Sequence, residues 1–177
     1  MFQKLIWMPT RQVFGLMGLA CLAMLAFGMY LQHVVGLEPC PMCIVQRYCL
    51  ILLMVAFFAG AAKGGSSGRG WLGFWGGLGF AAAAGGAFVA ARQSFLQWSP
   101  PEVVTCGRDF YGMVEAFPLQ RAIPMIFKGS GDCAEIDWTF LGGSIANWSF
   151  VCFVGFAVLL VGLAVRSSMF QKKETDS

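Results

Sequence analysis

Four uninterrupted apolar stretches, each long enough to cross a lipid bilayer, leave this chain few folds to adopt. They run from about Val13 to Leu31, Cys43 to Ala62, Trp71 to Ala91 and Ile145 to Val165. A helix crosses the hydrocarbon core with about 20 residues at a rise of about 1.5 Å each. Inside lipid every backbone N–H and C=O must find a partner within the protein, so such stretches form helices that pack together. Composition agrees, because 58% of the 177 residues are hydrophobic and only 12% are charged, too few to cover a soluble domain. The expected fold is an all-α membrane protein, a single domain over residues 1–177 with four transmembrane helices at about 13–31, 43–62, 71–91 and 145–165. The first stretch is expected to be a retained helix. Its apolar run exceeds a usual signal-peptide core, and no A-x-A cleavage site follows it. Gly64-Gly65-Ser66-Ser67-Gly68 reads as a short turn that makes the second and third helices antiparallel neighbours. A net charge of +3 is too small and too dispersed for a nucleic-acid surface.

Charge instead orients the chain in the membrane, since Lys and Arg gather in cytoplasmic loops. Lys4, Arg11, Lys63, Arg69, Arg166, Lys172 and Lys173 flank one set of helix ends, whereas the short segment 32–42 at the other ends has no basic residue. Both termini, with segments 1–12, 63–70 and 166–177, are therefore expected in the cytoplasm. Segments 32–42 and 92–144 are expected on the outer, periplasmic side. The long outer segment carries Arg92, Arg108, Arg121 and Lys128, but long loops weigh little in this rule.

Orientation gives the seven cysteines their meaning. Cys21, Cys49 and Cys152 fall within apolar stretches and read as small core residues. Cys40, Cys43, Cys106 and Cys133 all fall on the outer side, where disulfides persist. Glu38-Pro39-Cys40-Pro41-Met42-Cys43 is a C-x-x-C placed where a loop becomes a helix, and Pro41 suits the first helical position. Free N–H groups and the dipole at a helix start stabilise a thiolate, which makes the corresponding disulfide more oxidising. A static bridge or half of a zinc site are the alternatives. Zinc usually needs a second close C-x-x-C or a Cys/His pair, and neither is present, while the single histidine, His33, excludes a bis-histidine haem. Cys106 and Cys133 stand 27 positions apart in a loop broken by Pro100, Pro101, Pro118, Pro124 and the Gly129-Ser130-Gly131 run. A bridge there is either structural or open to attack by a thiolate, and exposure on the side of the C-x-x-C favours exchange.

Arg47 lies four positions after Cys43 and hence on the same helix face. A guanidinium at a membrane span either snorkels to the head groups or serves a partner, here a ligand carbonyl beside Cys43. Gly73-x-x-x-Gly77 and Gly85-Gly86 are expected to permit close helix approach. Residues 136–141 mix apolar and acidic side chains, which suits an interfacial segment anchored by Trp138 near Cys133.

Pro39-Cys40-Pro41-Met42-Cys43 followed by Gln46-Arg47, a lone Cys106, and Gly131-Asp132-Cys133-Ala134-Glu135 before Trp138 resemble the disulfide bond formation protein B family across nearly the whole chain. The resemblance implies a protein-dithiol:quinone oxidoreductase of the bacterial inner membrane. Cys106 and Cys133 would exchange with a periplasmic thiol oxidase of the DsbA type, and Cys40 and Cys43 would pass the electrons on. Ubiquinone or menaquinone would be bound beside Arg47, and no metal is implied. Some family members carry a histidine at the outer end of the third helix where this chain has Gln93, after Arg92. The related vitamin K epoxide reductase design shares a helical C-x-x-C, but the long loop after the third helix fits it less well. A scaffold or metal-delivery protein with structural cysteines is the alternative of a different class.

Overall fold

The computed structural model describes residues 9–62, 68–99, 136 and 138–175. They form four long helices and one small hairpin: α1 (Thr10–His33), α2 (Pro41–Ala62), α3 (Gly68–Trp98), β1 (Thr139–Phe140), β2 (Gly143–Ser144) and α4 (Ile145–Thr175). All four helices are long and apolar enough to cross a bilayer. Residues 63–67 of the expected Gly/Ser turn lie outside the described residues.

Each helix begins where its sequence allows. Pro9 precedes α1 in an extended conformation, and Pro41 opens α2, where a missing N–H removes no helical bond. Ser144 caps α4, its Oγ accepting the backbone N–H of Asn147 at 3.4 Å and donating to Gln97 Oε1 at 2.6 Å. That second bond ties the far end of α3 to the start of α4. The third helix runs on to Trp98, beyond the apolar stretch that ends near Ala91. At 31 residues it measures roughly 46 Å at about 1.5 Å per residue, longer than the hydrocarbon core. The polar run Arg92-Gln93-Ser94 therefore stays helical, with Arg92 placed over the Phe95 ring.

Packing follows chain order: α1 lies against α2, α2 against α3, and α3 against α4. The core centres on Phe57, fully enclosed, with Phe14 edge-on at 5.7 Å and Phe156 at 5.6 Å between ring centroids. Leu53, Met17, Cys21 and Phe153 complete it. Large apolar side chains such as Phe74, Phe88 and Val158 are about two-thirds exposed, as a lipid-facing surface requires. Glycines make the close approaches, though not where the G-x-x-x-G spacing suggested. A side chain at Gly73 or Gly77 would meet open space, whereas Gly18, Gly60 and Gly86 lie against Phe58, Phe14 and Phe153. The motif points outward because the packed side of α3 is set by the enclosed positions Ala83, Val89 and Ala90.

Between α1 and α4 the bundle stays open. These two helices do not pack closely on each other, and the gap is bridged at one end by the hairpin. Leu141 (φ 49°) and Gly142 (φ 80°) form its two-residue turn, the left-handed pair that matches strand twist. Trp138 stacks on Phe140 and meets Phe27 of α1 edge-on at 5.8 Å, while Trp148 of α4 donates its Nε1–H to the Phe140 carbonyl. Residues 139–144 of this region form the hairpin, and Trp138 beside it packs on Phe27 of α1.

Candidate functional site

Cys40 is the residue immediately before α2, and its geometry is that of a helix cap. Its carbonyl accepts the first helical bond, from Ile44 N–H at 3.1 Å. Its Sγ accepts the Cys43 backbone N–H at 3.3 Å, the contact that a serine oxygen makes at the same position. The C-x-x-C spacing then brings Cys43 Sγ to 2.8 Å from Cys40 Sγ. Little chain movement separates the two sulfurs from the bonded distance of about 2.05 Å. Cys40 is buried and Cys43 half-buried. The donor at the helix start falls on Cys40, and Cys43 faces elsewhere.

Cys43 opens onto a cavity of about 230 Å³ in the seam between α1 and α4. Leu31 and Gly28 of α1, Arg47 of α2, Trp138 of the hairpin and Cys152 of α4 are among its walls. The lining is mostly apolar and aromatic, with Gln46 and Arg47 as its main polar groups. A cavity of roughly 150 Å³ holds a benzene ring, so this one admits a substituted six-membered ring. The lining suits an apolar ring that carries hydrogen-bond acceptors for Gln46 and Arg47.

Arg47 shares the cavity wall with Cys43, as the four-residue spacing requires. Its guanidinium does not simply reach for head groups. It donates to the Gly28 carbonyl at 3.0 Å and to Gln32 Oε1, both on α1. Those bonds tie α2 to α1 while leaving the planar group on the cavity wall.

Two further residues complete the surroundings of the sulfurs. Gln93, on the polar end of α3, is buried and places Nε2 at 3.3 Å from both Cys40 Sγ and Cys43 Sγ. Its Oε1 accepts Nε2–H of buried Gln46 at 2.7 Å. Arg92 points away, over Phe95. In sequence Gln46 stood out only as part of a motif and Gln93 only as a departure from one. For Gln46 the available clue is a carboxamide within the apolar second stretch, whereas Gln93 sits in the polar run Arg92-Gln93-Ser94 and carries no such mark. Cys106 and Cys133, the other proposed pair, lie outside the described residues. Cys21, Cys49 and Cys152 are placed on α1, α2 and α4, as expected of helix positions. No metal-binding cluster occurs among the described residues.

Comparison with known proteins points the same way as the geometry. Residues 10–163 match the family model described as disulfide bond formation protein DsbB. A disulfide bond formation protein B from Paracidovorax citrulli (strain AAC00-1) is 67% identical over 157 residues, covering 89% of this chain and 88% of that protein. One from Acidovorax sp. (strain JS42) is 67% identical over 162 residues, covering 90% and 91%. One from Polaromonas sp. (strain JS666 / ATCC BAA-500) is 65% identical over 163 residues, covering 92% and 94%. With four membrane-length helices, a C-x-x-C capping the second, and matches of this extent, the chain belongs to the disulfide bond formation protein DsbB family.

Proposed function

We propose that this protein is a quinone-linked oxidase of the bacterial inner membrane that regenerates a periplasmic thiol oxidase of the DsbA type. The observation that carries the reading is the placement of Cys43 and Arg47 on one cavity, with Cys40 at 2.8 Å behind Cys43. Both termini face the cytoplasm, so the C-x-x-C end of the bundle opens to the periplasm, where the partner resides.

In this reading a partner thiolate attacks the Cys106–Cys133 disulfide at Cys106, and Cys133 leaves as a thiolate. The partner's second thiol displaces Cys106 and leaves the partner oxidised, while Cys133 attacks Cys40 and releases Cys43 as a thiolate. Cys106 then attacks Cys133, which restores the Cys106–Cys133 bond and releases Cys40, so that both inner thiols are reduced. Each exchange breaks one S–S bond and forms one, so two electrons and two protons move inward with each partner molecule oxidised. A quinone held beside Cys43 and Arg47 would supply the acceptor for that electron pair and two protons. Cys43 lies on the cavity side to deliver them, and the Cys43 N–H bond to Cys40 Sγ stabilises negative charge on the sulfur behind it. The apolar seam keeps water from the reduced pair, and Arg47 offers a charged donor to a ring carbonyl.

The decisive experiment mixes purified protein anaerobically with reduced DsbA-type partner and a ubiquinone analogue, following partner thiols and quinone absorbance together. Oxidation of one partner dithiol per quinone reduced is expected. Undiminished quinone reduction in a Cys40→Ala, Cys43→Ala double variant would sink the relay.

Two more results are expected from the same assay. Arg47→Ala should raise the quinone KM roughly 10–100-fold, the equivalent of about 1.5–3 kcal/mol for a charge-assisted hydrogen bond. The first exchange with partner should remain close to wild type, and equal losses in both steps would argue against a role at the quinone. Trp138→Ala removes an aromatic contact worth about 0.5–1.5 kcal/mol, so the quinone KM should rise roughly 2- to 12-fold. An unchanged KM would show that the hairpin does not wall the occupied site.

A further inference from the structure

Gln46, Gln93 and Ser144 are the buried polar residues among those described, and two of the three meet at the C-x-x-C. A carboxamide is costly to bury unless both of its ends are matched. For Gln93 the oxygen end is matched by Gln46, 47 positions away in sequence, at 2.7 Å. The nitrogen end has the two sulfurs at 3.3 Å as its acceptors. A disulfide or thiol sulfur accepts weakly, whereas a thiolate accepts strongly. The Gln93 N–H groups therefore interact much better with the reduced, ionised pair than with any other state of it. The opposite turn of the amide would place Oε1 against the sulfurs and repel a thiolate. In the observed turn Nε2 is the nearer end, at 3.3 Å from Cys43 Sγ against 3.8 Å for Oε1, and the hydrogen bond that Oε1 accepts from Gln46 favours that turn.

We propose that Gln93 is a catalytic hydrogen-bond donor to the thiolate of the reduced Cys40/Cys43 pair, and that Gln46 is a positioning residue that keeps the Gln93 amide turned toward the sulfurs. The inference rests on the reading of this pair as the inner redox centre. It assigns to a neutral amide a task for which a cation is the more familiar agent. A neutral donor adds no charge to the apolar seam, and it does not titrate between pH 5 and 9. Charged and titratable groups on the surrounding elements are His33 and Tyr30 of α1, Glu38 of the connecting segment, Arg47 and Tyr48 of α2 and Arg92 of α3. All of them are retained in the variants below.

The test uses reduced, quinone-free full-length protein in lipid nanodiscs, alkylated with iodoacetamide across a range of pH and read at Cys40 and Cys43 by peptide mass. The plateau rate at high pH reports access to the sulfurs, and the midpoint of the profile reports ionisation. Gln93→Met keeps side-chain length and removes the donor. Its midpoint is expected to rise by about one pH unit, a roughly tenfold fall in rate at pH 7, with the plateau unchanged. Gln46→Met touches neither sulfur, yet it should move the midpoint in the same direction by a smaller amount. The double variant should match Gln93→Met alone, because the two residues act as a unit. A wild-type midpoint in Gln93→Met overturns the donor role. A Gln46→Met effect that adds in full to that of Gln93→Met overturns the positioning role. If Gln93→Met does not hold its fold, the isosteric Gln93→Glu decides: its carboxylate must push the midpoint up further, and an unchanged midpoint again refutes the proposal. Neither partner nor quinone enters this assay. Failure of the donor role is therefore distinguishable from failure of the electron relay.

Discussion

Cys43→Ser is expected to lower quinone reduction by at least about a thousandfold while one equivalent of partner dithiol is still oxidised. Serine preserves shape at this half-buried position, so the fold should survive. What is lost is the sulfur on the cavity wall. Without it Cys40 has no disulfide to exchange, and electrons that enter through the loop pair have nowhere to go. The Cys106–Cys133 bond can still be reduced once, which accounts for the single equivalent. Rapid mixing of excess reduced partner with the variant should show a burst of one dithiol per protein and then a flat line, with quinone absorbance constant. Cys40→Ser should show the same burst, although its remaining thiol lies on the cavity. Repeated turnover in either variant would mean that the path to quinone bypasses the C-x-x-C.

The broad plan was legible because membrane helices announce themselves by length and apolarity. Each of the four stretches read from sequence corresponds to one helix, and Pro41 marked the start of α2 correctly. Cys43 and Arg47 could be placed on one face from their spacing, since helix geometry is local. Partners across helices were not legible. Nothing in the sequence pairs Gln46 with Gln93, or turns Arg47 toward the Gly28 carbonyl and Gln32, because those contacts depend on how α1, α2 and α3 meet. The end of α3 was missed for a related reason. Arg92-Gln93-Ser94 reads as the polar boundary of a span, yet Gln93 is buried by its contacts with the sulfurs and Gln46, and the helix continues to Trp98. The G-x-x-x-G motif misled in the opposite direction: its spacing describes a smooth surface without saying which way that surface faces.

Gly86 is where the packing of the bundle and the shape of the cavity are most tightly linked, and enlarging it is expected to damage both. A Cβ there would stand 2.4 Å from Phe153 Cε1 and 2.5 Å from Cζ, well inside contact distance. The ring cannot swing out of the way into solvent, because Phe153 is enclosed in the core. It also forms part of the cavity wall, so the direction with room is into the cavity itself. Gly86→Ala should therefore destabilise the protein by about 1–3 kcal/mol, with Gly86→Leu at or beyond the upper end. For a chain of this size that is a fall of roughly 2–12 °C in the thermal midpoint, measured in detergent by near-ultraviolet circular dichroism. The Ala variant that remains folded should also bind a quinone analogue more weakly, since Phe153 encroaches on the ring site. Phe153→Ala alone should cost about 3–5 kcal/mol by leaving a void. Combining Phe153→Ala with Gly86→Leu should recover part of both losses, because the new side chain fills the vacated space. Strict additivity in the double variant would show that the two positions do not share that space, and that α3 and α4 are held apart by some other contact.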